Sequence, residues 1–144
     1  MWMDAVYEPG EIKVVAYNKD GKAVAEKIVR TAGKPHHIEL VSNRNELTAD
    51  GKDLAYVTVK VVDKDGNLCP TDSRLIHFSV KGAGKFRAVA NGDPTNLEQF
   101  HLPKMHAFHG MLTAIVQAGE IAGDLVLTAK ASGVKTGTVH LQAK

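Results

Sequence analysis

Apolar and polar residues alternate with a period of two along most of this chain, most clearly over residues 54–63. Four small apolar residues occupy every second position there: Ala55, Val57, Val59 and Val61. Such alternation is typical of an antiparallel strand with one buried face, and β-branched residues favour that pleated environment. The stretch therefore predicts a long central strand that the rest of the chain must cover.

The same alternation recurs in short segments that are separated by turn residues. The predicted strands span residues 11–17, 23–31, 36–42, 54–63, 75–81, 85–90, 106–117, 123–131 and 134–142. Turn signals come about every 8–12 residues, with no helical period and no alternation of strands with helices. The fold class predicted is all-β: an immunoglobulin-like antiparallel β-sandwich of about seven strands, preceded by a β-hairpin.

Residues 1–33 form a separate unit in this prediction. Their two strands are joined by a turn at 18–21 and carry apolar residues on both faces, whereas a lone hairpin is marginally stable in water. The hairpin therefore either packs on the rest of the chain or supplies the last two strands of an upstream immunoglobulin-like domain. Since Ala-Gly-Lys-Pro at 32–35 breaks the β pattern, we predict a hairpin fragment at 1–33 and a sandwich domain at 34–144.

Composition and charge fit a globular protein and narrow its partners. The chain has 144 residues, 44% of them hydrophobic, and Lys plus Arg exceed Asp plus Glu by two, 18 against 16. No basic block is present, which argues against a nucleic-acid or membrane-surface partner, and no apolar run approaches the ~20 residues that cross a bilayer. We expect no signal peptide, so that either the protein is cytosolic or the sequence begins inside a longer polypeptide.

Histidines and acidic turns raise the question of a metal site. Three of the seven histidines lie within nine residues: His101, His106 and His109. Two of them, His106 and His109, fall three apart on a predicted strand and would point to opposite faces. The turn at 63–67 resembles the start of a calcium loop, but its twelfth position is Arg74 instead of a bidentate glutamate. We expect no metal and no cofactor.

No pattern in the chain indicates a reaction centre. Neither a Gly-x-Ser-x-Gly elbow nor a glycine-rich phosphate loop before a helix is present. The single cysteine, Cys69, lies near a turn without a cationic cluster and is predicted to be a small semi-buried apolar residue. We therefore assign no catalytic residue.

The long irregular segment 91–105 is the candidate for ligand contact. Loops of this length are uncommon and are often functional. Phe100 is its aromatic residue, and Asn91 and Asp93 add polar groups. We name these three residues as the candidates for ligand contact, and for Phe100 we favour the role of filling the core.

Two parts of the sequence resemble a known enzyme family. The similar motifs are Tyr-Glu-Pro-Gly at 7–10, Thr-Ala-Gly-Lys-Pro at 31–35, Ala-Asp-Gly-Lys at 49–52, Asp-Lys-Asp-Gly-Asn at 63–67 and Asn-Gly-Asp-Pro at 91–94. The first two resemble the end of the immunoglobulin-like domain that follows the catalytic barrel in bacterial family-two glycoside hydrolases, the β-galactosidase group. The others resemble the C-terminal immunoglobulin-like domain of these enzymes, which is itself similar to invasin and intimin repeats.

The resemblance implies a non-catalytic accessory domain that braces the barrel, the assembly or the substrate entrance of a β-galactosidase that hydrolyses O-glycosyl bonds. The family's catalytic glutamates lie on the barrel, so none is carried over. The implied partners are the upstream catalytic domain, a second copy in a homo-oligomer, and a galactoside or other glycan. A periplasmic or extracellular bacterial location is implied for the parent protein.

Two alternatives to this role stay open. The long loop with Phe100 would suit a carbohydrate-binding module, and the likeness to invasin would suit a cell-surface adhesin repeat. The sequence departs from the family pattern over 96–105, so the resemblance implies no role for that segment.

Overall fold

The computed structural model describes residues 6–144, and in that range it contains strands, turns and loops without a helix. Residues 1–5 of the predicted hairpin unit, Trp2 among them, lie outside the described residues. The strands are β1 Glu11–Tyr17, β2 Ala23–Arg30, β3 His37–Ser42, β4 Glu46–Leu47, β5 Leu54–Val62, β6 Leu75–Gly82, β7 Gly84–Ala90, β8 Lys104–His106, β9 Met111–Ala118, β10 Gly123–Lys130 and β11 Gly137–Ala143. The all-β prediction is confirmed.

Strands β3 to β11 form two facing sheets. One has the order β4-β11-β10-β6-β8 and the other the order β3-β5-β9-β7. All neighbouring strands are antiparallel except β4, which pairs in parallel with the end of β11. Seven of these nine strands have six residues or more, and β4 and β8 are short additions at the sheet edges. The predicted immunoglobulin-like sandwich of about seven strands is confirmed.

The core lies between the two sheets and is built from alternate residues of the facing strands. The β5 side chains predicted to be buried, Ala55, Val57, Val59 and Val61, are all fully buried. The opposite sheet contributes Ile76, Met105, Leu125 and Leu127, which are also fully buried. Burial of a valine, leucine or isoleucine side chain stabilises the fold by about 1.5–3 kcal/mol. Because every second residue of a strand faces the opposite sheet, the period of two in the sequence marks the residues that form this contact.

One strand prediction is wrong in its first half. Residues 106–117 were expected to form a single strand, but the chain ends β8 at His106 and begins β9 at Met111, in the other sheet. Between these strands, His109 and Gly110 have φ angles of 52° and 73°. Two successive residues with positive φ make a tight turn of the type I′ kind, which histidine seldom occupies. The apolar alternation therefore continues through a turn that reverses the chain.

Two phenylalanines depart from the alternation of the strands predicted at 106–117 and 85–90, which places Phe108 in the core and Phe86 on the outside. Phe108 is only half-buried beside the His109 ring, with centroids 4.2 Å apart. Phe86 stacks on the buried Phe78 ring with centroids 5.8 Å apart and packs against the core. A register shift in β7 between Phe86 and Ala88 turns the Phe86 side chain inward, which strict alternation does not predict.

The hairpin of β1 and β2 is a two-stranded sheet of its own. One of its faces is apolar and consists of Ile12, Val14, Ala16, Ala25 and Val29, with Lys27 among them. The opposite face carries the ion pairs Lys13–Glu26 and Glu11–Arg30, at 2.7 and 3.0 Å, together with the half-buried Val15 and Ile28. Ile12, Val14 and Val29 are 71%, 63% and 61% exposed, so the apolar face does not pack on the sandwich.

Candidate functional site

A cleft of about 870 Å³ separates the hairpin from one end of the sandwich. The linker 31–35 crosses it and joins β2 to β3. The cleft walls are formed by Pro9, Gly10, Glu11 and Arg30 on the hairpin side and by His36, Asp63, Lys64, Asp65 and Asn67 on the sandwich side. This joint is a concave surface shared by the hairpin, the linker and the sandwich.

Asp63 holds the linker against the sandwich. Its side chain is 2% exposed, and its Oδ2 atom accepts a hydrogen bond of 2.8 Å from the Gly33 amide. Its Oδ1 atom accepts hydrogen bonds from the backbone amides of Asp65 and Asn67, both at 2.9 Å, and the Asn67 side-chain amide donates to both carboxylate oxygens. The Gly33 amide, followed by the Asn67 side chain, holds the pKa of Asp63 well below the usual carboxyl range.

These contacts confirm that residues 63–67 form a capped hairpin turn. Both carboxylate oxygens of Asp63 are engaged by amide donors, and Asx turns of this kind satisfy the backbone locally. In the part of the chain that the structure describes, no three His, Cys, Asp or Glu side chains converge on a position that could hold a metal ion. Within the same residues, no helix is long and apolar enough to cross a membrane.

The predicted ligand residues Asn91 and Asp93 shape the long loop. The Asn91 side-chain amide donates to the His106 carbonyl oxygen at 3.0 Å, and its Oδ1 atom accepts from the Asp93 backbone amide at 3.1 Å. Asp93 Oδ1 accepts from the amide and the hydroxyl of Thr95, at 2.8 and 2.7 Å, and the amide contact lowers the pKa of Asp93. Both side chains are half-buried, and ligand contact by them stays a prediction.

The favoured prediction that Phe100 fills the core is wrong. It is 56% exposed, and two further exposed apolar side chains of the same loop are Leu97, at 96%, and Leu102, at 36%. Its carbonyl oxygen accepts the Val89 amide at 2.8 Å, which anchors the loop to the edge of β7. The ring is accessible to a partner, and its contact with a glycan stays a prediction.

The two histidines that flank the turn after β8 have separate partners. His106 Nδ1 lies 3.1 Å from Glu98 Oε1, and His109 Nδ1 lies 3.3 Å from the Pro70 carbonyl oxygen.

The single cysteine lies in the core. Cys69 is 4% exposed and burial raises the pKa of its thiol, which agrees with the prediction of a small apolar residue.

Sequence reasoning missed one buried ion pair. Asp72, 9% exposed, accepts hydrogen bonds from Arg74 Nε and Nη2 at 2.8 and 2.6 Å, and Arg74 Nη1 donates to the Ser132 carbonyl oxygen. Burial raises the pKa of Asp72, but the hydrogen bonds from Arg74 outweigh this and leave it below the usual range. In the sequence, an aspartate two residues before an arginine is a weak signal of an ion pair. Asp72 and Arg74 can pair only because both side chains lie on the same side of a loop.

Two protein-family models match separate parts of the chain. The model described as Glycoside hydrolase family 2 C-terminal domain 5 matches residues 38–140, which covers the sandwich from β3 to β11. A second model, described as Domain of unknown function (DUF4982), matches residues 1–25.

Known proteins and structures agree with the first of these matches. Beta-galactosidase BoGH2A of Bacteroides ovatus is 44% identical over 138 residues, which is 96% of this chain and 16% of that protein. A glycosyl hydrolase family 2 member from Bacteroides cellulosilyticus superposes with a TM-score of 0.88 at 31% identity, over 97% of this chain and 18% of that one. A β-glycosidase from Bacteroides vulgatus gives 0.90 at 28% identity, over 95% and 18%. The chain thus spans less than a fifth of each of these relatives.

Proposed function

The chain belongs to glycoside hydrolase family 2, as a C-terminal domain of that family, and from this membership we propose that it is a non-catalytic accessory domain of a β-galactosidase-like enzyme. The observation that carries the proposal is the hairpin, whose apolar face is left uncovered by the sandwich. A hairpin of this kind is marginal alone and needs a further sheet to bury its face. The upstream polypeptide is the partner that supplies it.

The hairpin completes an upstream immunoglobulin-like domain in this proposal. The face with the ion pairs can stay in contact with solvent, because exposed pairs such as Lys13–Glu26 need no covering. The apolar face can pack against a second sheet in the core of a sandwich. The separate family match over 1–25 supports a unit that ends within the hairpin strands. We propose that the boundary between this unit and the sandwich domain lies in the linker, which falls between the two matched ranges.

The joint fixes the orientation of the sandwich domain relative to the upstream domain in this proposal. The hydrogen bond from the Gly33 amide to Asp63 ties the linker to the first turn after β5, and the His36 amide bonds to the Val62 carbonyl oxygen at 2.8 Å. Two contacts on consecutive parts of a short linker leave it little freedom. The sandwich therefore braces the upstream domains at a fixed angle, where it stabilises the barrel, the assembly or the substrate entrance.

The substrate class follows from the relative with the highest identity reported above. That protein is named a β-galactosidase, so we propose a bacterial, periplasmic or extracellular β-galactosidase as the parent, with a role in carbohydrate metabolism. Its catalytic domain is the partner of this chain within one polypeptide. Family membership favours this role over that of an adhesin repeat.

A hybrid enzyme tests the proposal. The matching segment of the Bacteroides ovatus β-galactosidase is replaced by this chain, and the hybrid is compared with an enzyme that lacks the segment. We expect the hybrid to regain thermal stability and turnover of an aryl β-galactoside, and the chain alone to show no turnover. Turnover by the chain alone, or equal behaviour of the hybrid and the deletion, contradicts the accessory role.

The carbohydrate-binding alternative is favoured by the exposed ring of Phe100 and has its own test. Galactose-containing oligosaccharides are titrated into the chain while backbone amide shifts are recorded. Shifts confined to 91–105, and lost in Phe100→Ala but not in Leu97→Ala, support it. Absence of shifts at millimolar oligosaccharide excludes it.

A further inference from the structure

Two lysines and a histidine form a row straight across three neighbouring strands. Lys130 of β10 lies opposite His77 of β6, and His77 lies opposite Lys104 of β8. All three side chains are exposed on the outer face of the five-stranded sheet. Lysines and histidines in direct register do not stabilise a sheet and repel one another when charged. The row therefore has no explanation in the stability of the sheet.

The same face carries further basic groups and few acids. Lys81 of β6 lies opposite Val126, and Val126 lies opposite His140 of β11, so that these exposed side chains share the outer face with the row. The acidic residues in the strands of this sheet are Asp124 of β10 and Glu46 of β4, and Glu46 is ion-paired with Lys144. We call this surface the basic face: Lys81, Lys104, Lys130, His77 and His140.

The positive charge of the basic face is not neutralised within the described chain. Among residues 6–144, Lys13, Lys60 and Lys144 form ion pairs between strands or segments, whereas none of the three lysines of the basic face has an acidic partner. Glu98 reaches only His106, beyond the row. A surface of one sign attracts partners of the opposite sign.

The spacing of the lysines indicates an extended partner. Lys104 and Lys130 are two strands apart, which places their backbones about 10 Å from each other, and Lys81 lies four residues from His77 along β6, about 13 Å. One small anion cannot bridge such distances. A polymer with repeated negative groups can engage all three lysines at once.

The other side chains of the face select among polyanions. Ser79, Thr128 and Thr138 form a neighbouring row of hydroxyl groups, which can exchange hydrogen bonds with sugar hydroxyls. Arginine, which nucleic-acid recognition favours, is absent from β6, β8, β10 and β11, and Val126 is the one large apolar side chain that faces outward on β10, whereas protein interfaces have an apolar core. We propose that the basic face binds an anionic polysaccharide through its uronate carboxylates or sulfate esters.

The inference is independent of the joint and can be tested on the 144-residue chain. Affinity electrophoresis is run in gels that contain polygalacturonate, dextran sulfate or neutral dextran. We expect retardation in one or both anionic gels, which identifies carboxylate or sulfate as the preferred group, no retardation in neutral dextran, and weaker retardation as salt is raised. Binding to neutral dextran that equals binding to both anionic polymers overturns the proposal.

Two variants of equal net charge separate the basic face from general electrostatics. The test variant carries Lys81→Gln, Lys104→Gln and Lys130→Gln, and the control variant carries Lys19→Gln, Lys52→Gln and Lys64→Gln, all in exposed turns. The test variant loses three ion pairs between lysines and the anionic polymer, which is expected to weaken binding about tenfold. Binding by the control variant should stay within about twofold of the original chain. Equal retardation of the two variants, or tighter binding of duplex DNA than of either anionic polysaccharide, overturns the proposal. Unchanged circular dichroism establishes that both variants are folded.

Discussion

The carboxylate of Asp63 accepts the amide hydrogen of Gly33 across an N–O distance of 2.8 Å, although thirty residues separate the two. Asp63 directly follows Val62, the last residue of the central strand β5, and Gly33 lies in the linker that leaves the hairpin. Hydrogen bonds to an ionised acceptor are about twice as strong as neutral ones. This contact therefore couples the core of one unit to the path of the chain between the two.

Replacement of Asp63 by asparagine is expected to loosen the linker. Asparagine keeps one acceptor oxygen but places an amide donor where Oδ2 accepted the Gly33 amide, so two donors face each other. We expect faster hydrogen exchange and an upfield proton shift of the Gly33 amide in Asp63→Asn. Asp65→Asn removes the same charge from the exposed side of the same turn and is the control. An unchanged Gly33 amide in Asp63→Asn contradicts the proposed clamp.

Asp63 is also expected to make stability depend on pH in the acid range. Its pKa is lowered in the folded chain, so its contribution to stability is fully present above the unfolded-state pKa of about 4 and is lost as pH falls toward the folded-state pKa. The difference in unfolding free energy between the original chain and Asp63→Asn should therefore shrink steadily below about pH 4. Urea unfolding at a series of pH values measures it, and a difference that stays constant down to the lowest accessible pH contradicts the assignment.

The alternation of apolar and polar residues predicts most strands of the sandwich, but it fails where the structure depends on contacts between distant parts of the chain. It predicts each buried residue of β5 correctly, because alternate residues of a strand lie on opposite faces of the sheet. The parallel pairing of Leu47 with Ala143 was not predicted, since it joins segments almost a hundred residues apart. The His109–Gly110 turn was missed because histidine rarely adopts positive φ.

The same limit applies to the candidate sites. The turn at 63–67 was read correctly as a self-capped turn, but its contact with Gly33 is long-range and leaves no local pattern. The basic face is equally invisible along the chain, because its lysines at 81, 104 and 130 are dispersed and meet only through strand register. An evenly spread charge in sequence is therefore compatible with a one-sided charge in the fold.

Core truncation should separate buried from exposed leucines. Leu127 is fully buried between the sheets, whereas Leu97 is 96% exposed in the long loop. Leu127→Ala is expected to lower the free energy of unfolding by about 2–5 kcal/mol, and Leu97→Ala by less than about 0.5 kcal/mol. Urea denaturation of both variants measures the difference. Similar losses in the two variants would mean that the sheets are not packed as described.

Two glycines with almost the same φ should respond differently to alanine. Gly110 has φ 73°, and a Cβ there would lie 2.3 Å from the Cys69 carbonyl oxygen; Gly133 has φ 75°, and its nearest neighbour would be Arg74 Nη1 at 3.8 Å. Gly133→Ala should cost about 1 kcal/mol from backbone strain alone. Gly110→Ala should cost at least about 2 kcal/mol, because the backbone of the adjoining segment must also shift. Equal thermal shifts would contradict the close approach of Gly110 to Cys69.

Substitutions on the two faces of the hairpin should have opposite outcomes in the hybrid enzyme. Val14 lies on the apolar face and is 63% exposed, and Tyr17, 64% exposed, lies on the side of β1 that carries Glu11 and Lys13 of the ion pairs. In the 144-residue chain, Val14→Lys and Tyr17→Lys should both leave the melting temperature unchanged within error, since neither side chain is buried. In the hybrid, a lysine at position 14 would enter the core of the upstream domain directly opposite Lys27, where a second unpaired charge is costly, so Val14→Lys should lower the melting temperature by several degrees while Tyr17→Lys does not. If both substitutions are tolerated in the hybrid, the apolar face is not the surface that the upstream domain covers.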